Sequence, residues 1–149
     1  MPTDIQAKDF IARWAASSAH ERGNAQSFFG NLCDLLGVGR PEPATADYCF
    51  EKPITIIHRD GHQAPGYIDF HKRGHFVIEA KQGSETGDAK IGTARRGTQG
   101  WHKAMQAAFG QAHTYAMALP EGPPPFLITC DIGHVFEVWK GFTGHYGGY

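Results

Sequence analysis

Apolar and polar residues alternate along GYIDFHKRGHFVIEAKQG, residues 66–83, with the period of two that a half-buried β-strand requires. The pattern breaks once, at Lys72-Arg73-Gly74, and so predicts a hairpin. On this reading Ile68, Phe70, Phe76, Ile78 and Ala80 share one face. Asp69, His71, His75, Val77, Glu79 and Lys81 share the other. A turn centred near Arg73 sets Asp69 opposite Val77 and Glu79 diagonal to it, about 7–8 Å away at the backbone.

Upstream the period changes to that of helices. Phe10, Ile11, Trp14 and Ala15 follow Asp4 as a cap. In NAQSFFGNLCDLLG, Phe28, Phe29, Leu32, Cys33, Leu35 and Leu36 make one wide stripe that stops at Gly37; these residues read as core. Pro41 and Pro43 mark a linker, and Tyr48-Cys49-Phe50-Glu51 a short strand. After the hairpin, the glycine-rich stretch 83–100 reads as a mobile loop. Trp101, Met105, Ala108, Ala112, Tyr115 and Leu119 then recur at steps of four and three, the signature of an amphipathic helix. EGPPP ends it. PFLITCDIG and HVFEVW follow as a strand pair turning at Gly133, and GFTGHYGGY shows no pattern that requires order. The organisation expected is a single domain over 1–149: a helical part at 1–37, a core at 48–139, and a tail or linker at 140–149. Helices on both faces of a mixed sheet make this an α/β or α+β architecture.

Length and composition narrow the class. The chain has 149 residues, 41% of them hydrophobic and 19% charged, which suits one globular core. No apolar run approaches a membrane span and the start lacks a signal-peptide layout. Cys33, Cys49 and Cys130 read as isolated buried thiols, and the expected compartment is the cytoplasm. Net charge is −1, but residues 70–103 carry Lys72, Arg73, Lys81, Lys90, Arg95, Arg96 and Lys103 against three acids, Glu79, Glu85 and Asp88. Such an excess reads either as a solvated loop or as a phosphate-contacting patch.

Two carboxylates and a lysine on one surface are the candidate chemistry. Hard oxygen ligands with open positions suit Mg²⁺, and a neighbouring ammonium suits an attacking water. As a bare pattern, Asp followed by Glu-x-Lys equally describes an ion-paired exposed face. His58 with His62, and His71 with His75, are spaced four apart, which joins ligands only on a helix; zinc is therefore not expected. On the polar face, His71 and His75 are candidate DNA contacts.

Helices, three strands carrying Asp and Glu-x-Lys, a helix and a further strand resemble the core of the PD-(D/E)xK nuclease superfamily, with Ile68 in place of the proline before Asp69. NAQSFFGNLCDLLGV, YCFEK, the hairpin, RRGTQGWHKAM, GQAHTYAMALP and CDIGHVFEVW, in that order, are similar to the N-terminal endonuclease domain of single-chain type IIL restriction–modification enzymes. The resemblance implies a Mg²⁺-dependent (or Mn²⁺-dependent) DNA endonuclease. Asp69, Glu79 and the Ala80 carbonyl would hold the metal, and Lys81 would orient the water. It implies supporting roles for Gln82, for Gln111 and Tyr115 as a Gln-x-x-x-Tyr pair, and for Glu21. Gln82 stays open between a DNA contact and a strand end, and Glu21 between a ligand and a surface residue. Lys72, Arg73, Lys90, Arg95, Arg96 and Lys103 are the candidate DNA contacts. The implied partner is double-stranded DNA, cut on both strands only by a transient dimer or two binding events. Adenine-methyltransferase and target-recognition regions are expected outside this chain. It has no Asn/Asp-Pro-Pro-Tyr/Phe motif and no glycine-rich S-adenosylmethionine loop. An excised domain, a truncated product and a free-standing relative all remain open. Rival classes are a catalytically silent DNA-binding or interaction module and a metal-dependent nucleotide hydrolase.

Overall fold

The computed structural model describes residues 1–16, 21–41, 45–83, 94–141 and 146–148, with the side chains of 21–23 and 148 excepted. Among these residues three helices and six strands follow the order α1 (Asp4–Ala15), α2 (Glu21–Leu36), β1 (Tyr48–Ile57), β2 (Gln63–Lys72), β3 (Phe76–Lys81), α3 (Gln99–Ala118), β4 (Phe126–Asp131), β5 (Val135–Lys140) and β6 (Gly147–Gly148). The strands form one sheet in sequence order. All neighbours are antiparallel except β3 and β4. A parallel pair needs a long crossover, and α3 lies within it. The result is a mixed α+β fold of five substantial strands and a two-residue sixth.

Helix α1 starts one residue earlier than the sequence suggests. Thr3, not Asp4, is its cap: the Thr3 hydroxyl accepts from the Gln6 N–H, and the Gln6 side chain accepts from the Thr3 N–H. This reciprocal box satisfies two donors that a helix start leaves unpaired. Thr98 caps α3 by accepting from the Trp101 N–H.

Helices α1 and α2 cover one face of the sheet. Trp14, Phe28, Phe29 and Cys33 pack there on Phe70, Ile78, Ala80 and Cys130. Each fully buried phenylalanine contributes about 1.5–3 kcal/mol. Helix α3 covers the other face, where Ala112, Ala116 and Leu119 meet Ile54, Ile68, Val77 and Leu127. Covered on both sides, β3 is buried from Val77 to Ala80. The three cysteines are buried and free.

The second face holds a correction. Ile68 packs with α3, whereas Phe70, two residues on, packs with α2. Strand β1 does the same: Phe50 meets the α2 core and Ile54 the α3 core. Regular strands keep alternate residues on one face, so both strands turn over between these positions. The β1–β2 ladder is continuous from Tyr48↔Lys72 to Ile57↔Gln63 except at Glu51 and Asp69. Glu51 has a φ of 52°, and among the described residues no other non-glycine residue has a positive φ.

The turn of the β2–β3 hairpin also lies one residue later than expected. His71 faces Val77 and Lys72 faces Phe76; carried on by two residues, this register sets Asp69 beside Glu79, not Val77. In the tail, where no order was expected, β6 pairs with β5 and the Tyr146 hydroxyl donates to the Pro124 carbonyl. Of the stretch read as a mobile loop, residues 84–93 lie outside the described residues.

Candidate active site

Strands β2 and β3 stay paired only from Phe70↔Ile78 to Lys72↔Phe76. Where they part, the Asp69 carboxylate takes the place of a backbone partner and accepts from the Ala80 N–H at 2.8 Å. A cleft of about 300 Å³ opens at this point, lined by Glu51, Asp69, Glu79, Lys81, Gln111 and Tyr115 among others. A larger cavity of about 690 Å³ beside the end of α2 is lined mainly by apolar residues, including Leu36, Val38 and Phe136, and by no acid. Size favours the second and chemistry the first.

Glu79 is 2% exposed, and among the described residues its Oε1 has no hydrogen-bond partner. Burial first, and then the charge of Asp69 beside it, push its carboxyl up to about 9. The two carboxyls are close enough to share a proton, and the Lys81 ammonium acts in the opposite direction. A buried carboxylate oxygen without a partner is costly in a protein interior. A divalent cation would satisfy it, so the donor set fits a hard metal: two carboxylates and, from the backbone between Glu79 and Lys81, the Ala80 carbonyl. Among the described residues no group of three or more His, Cys, Asp and Glu side chains forms a metal cage, in keeping with a site that would use a backbone oxygen and water.

Helix α3 supplies the opposite wall. Gln111 Nε2 donates to the Tyr115 hydroxyl at 2.8 Å, and the Tyr115 ring lies over Gly66 of β2. A Cβ on Gly66 would stand 2.9 Å from that ring, so glycine here is what admits the tyrosine. Gln82 is buried and accepts from the Asn24 amide of α2 at 3.2 Å. Helix α2 begins at Glu21, whose side chain lies outside the described residues; Ala25, one turn on, reaches the cleft.

The cations expected as one patch are dispersed. Lys72 lies over the Tyr48 ring, 5.1 Å from its centroid, and Arg73 is paired with Asp47 at 3.5 Å; both are at the turn end of β2. Arg96 is no surface contact. Its guanidinium is bound to the buried Asp131 at 2.9 Å, which also accepts from Trp101 Nε1 and the Gly83 N–H. Arg95 and Lys103 are exposed, and Lys90 lies outside the described residues. The histidines also lie away from the cleft. His71 is fully buried, 3.6 Å from Glu121, and burial lowers its pKa; His75 Nδ1 meets the Arg73 carbonyl at the turn. Glu51 was missed, because an acid in a short strand reads as solvent-facing and a left-handed φ leaves no trace in side-chain periodicity.

Fold and cleft define a mixed α+β domain with three acids and a lysine where its central strands part. The chain belongs to the family described as the N-terminal domain of MmeI, whose model matches residues 4–146. Comparison with curated proteins and with solved structures returned no match. No helix among the described residues is long and apolar enough to cross a membrane.

Proposed function

We propose that this chain is the metal-dependent DNA endonuclease module of a restriction enzyme, built on a PD-(D/E)xK core. The observation that carries the reading is the convergence of Asp69 and Glu79 beside Lys81 in an open cleft, with one Glu79 oxygen left without a partner among the described residues. Family membership supports the same reading. Asp69, Glu79 and the Ala80 carbonyl hold Mg²⁺ or Mn²⁺; the ion, when bound, lowers the pKa of water and neutralises phosphate charge. Lys81 orients the attacking water and stabilises charge growing on the phosphoryl oxygens, usually the largest catalytic contribution. Water adds to phosphorus as the bond to the leaving sugar oxygen breaks, and that oxygen takes up a proton. Gln111 and Tyr115 brace the wall facing the scissile phosphate. Gln82, tied to Asn24, fixes the strand end behind Lys81 and does not touch DNA.

Among the described residues, Arg95 and Lys103 are the expected cations left exposed to meet the duplex. Such phosphate contacts bind weakly and with strong salt dependence. Base reading and adenine methylation belong to regions outside this chain, and S-adenosylmethionine does not bind it. One cleft cuts one strand, so a double-strand break takes two copies on the DNA. In the cytoplasm the substrate is double-stranded DNA.

Supercoiled plasmid with Mg²⁺ or Mn²⁺ tests the reading. The parent should nick it, and Asp69→Ala or Lys81→Ala should lower the rate at least a hundredfold, about 2.7 kcal/mol of barrier. Nicking that survives both substitutions would place the chemistry elsewhere. Absence of both nicking and calorimetric metal binding in the parent would leave a silent module.

A further inference from the structure

The left-handed backbone at Glu51 needs an explanation that Asp69, Glu79 and Lys81 do not provide. An L-residue with a side chain of this size pays for a φ of 52° with about 1–2 kcal/mol of steric strain, which glycine in the same place would avoid. Strain of this kind persists where surrounding structure or function compensates for it. No intramolecular compensation is visible: among the described residues, no hydrogen bond or ion pair engages the Glu51 carboxylate. The residue is half-buried and lines the same cleft as Asp69, Glu79 and Lys81. It stands across the ladder from Asp69, at the step where β1 and β2 both turn over.

We infer that Glu51 is a positioning residue of the metal site, its carboxylate turned to the water shell of a divalent cation held by Asp69 and Glu79. The inference rests on the nuclease reading and extends it by one residue. Direct ligation does not fit, since Glu51 forms no three-acid cage with the other two among the described residues. An outer-shell role does. A carboxylate accepts hydrogen bonds from waters polarised by the ion, and its own charge adds to the cation's attraction. The left-handed kink then has two consequences: it turns the strands over so that Asp69 reaches the Ala80 N–H, and it brings a third negative charge into the cleft.

Calorimetric titration of the 149-residue chain with Mn²⁺ separates these consequences in three proteins: the parent, Glu51→Gln and Glu51→Gly. Glutamine keeps the shape and loses the charge, whereas glycine relieves the strain and loses both. Outer-shell partners are worth about 10–100-fold in metal affinity, so both variants should bind Mn²⁺ at least tenfold more weakly. Glu51→Gly should melt no lower than the parent, which shows that the loss is not unfolding. A parent that binds Mn²⁺ beside variants that bind it equally well would overturn the role of Glu51 and leave the nuclease reading standing. A parent that binds no Mn²⁺ would overturn both.

Discussion

Glu79 and Asp131 are both buried carboxylates, on the adjoining strands β3 and β4, yet their surroundings are opposite. Asp131, fully buried, accepts from Arg96 Nε and Nη2, from the Trp101 indole and from the Gly83 N–H. Among the described residues its partners come from just after β3 (Gly83), just before α3 (Arg96) and the first turn of α3 (Trp101), so Asp131 ties the start of α3 and the end of β3 to the sheet. Glu79 sits opposite Thr129 in the same ladder, two residues before the Lys81↔Asp131 pair. Among the described residues it has an oxygen with no partner and a like charge for a neighbour. A buried carboxylate whose hydrogen bonds are complete within the protein serves the fold. One that is left incomplete, at the mouth of a cleft, is available to something the protein binds.

The sharpest way to break this comparison is to neutralise each carboxylate in turn. Asp131→Ala removes the carboxylate bound to the Arg96 guanidinium, which is only about a tenth exposed. Removing one partner of a buried pair costs about 3–5 kcal/mol, a large share of the stability of a domain this size. Urea unfolding should show that loss. A change below about 1 kcal/mol would mean that the Asp131 clamp contributes little to the fold.

Glu79→Gln should act in the opposite direction when no metal is present. The folded parent keeps the Glu79 proton up to about pH 9, whereas the unfolded chain loses it near 4.5. Between those values the folded state binds more protons than the unfolded one. Stability therefore falls as pH rises across that window, with a slope of at most about 1.4 kcal/mol per pH unit. Glutamine carries no such proton, so the variant should lose this part of the slope and overtake the parent toward pH 9. Melting curves in a chelating buffer at pH 5, 7 and 9 decide it. Parallel pH profiles would mean that Glu79 is not held protonated.

The contrast between the two carboxylates was half legible in the chain. Asp69, Glu79 and Lys81 could be placed on one surface because strand alternation is a local rule, and the equally local period of helices found the α3 stripe through Ala108 and Ala112. Three things escaped it. The hairpin register slid by two because turn geometry, not side-chain pattern, decides where the strands cross. Ile68 changed face because a single left-handed residue on the neighbouring strand reverses the alternation. Arg96 was assigned to DNA because its partner, Asp131, is 35 residues away in the chain. No window of local pattern contains both. His71 failed for a related reason: it lies on the strand face that α3 and the chain after it cover, so a polar residue there is enclosed, not presented.

A smaller effect extends the comparison to the cleft wall. Gln111 and Tyr115 are half-buried, and a bond from Gln111 Nε2 to the Tyr115 hydroxyl links them along one face of α3. Tyr115→Phe removes the acceptor and leaves the ring on Gly66, so packing against β2 is preserved. Gln111 can turn toward water, which limits the penalty to about 0.5–1.5 kcal/mol, well below that for Asp131. If the pair braces the wall opposite the carboxylates, plasmid nicking should fall more than this stability loss accounts for. If the hydroxyl serves only the helix, nicking by the folded variant should match the parent. The comparison of rate with melting midpoint thus asks of a half-exposed hydrogen bond what the buried carboxylates ask of each other: whether the group is satisfied for the fold or held ready for the substrate.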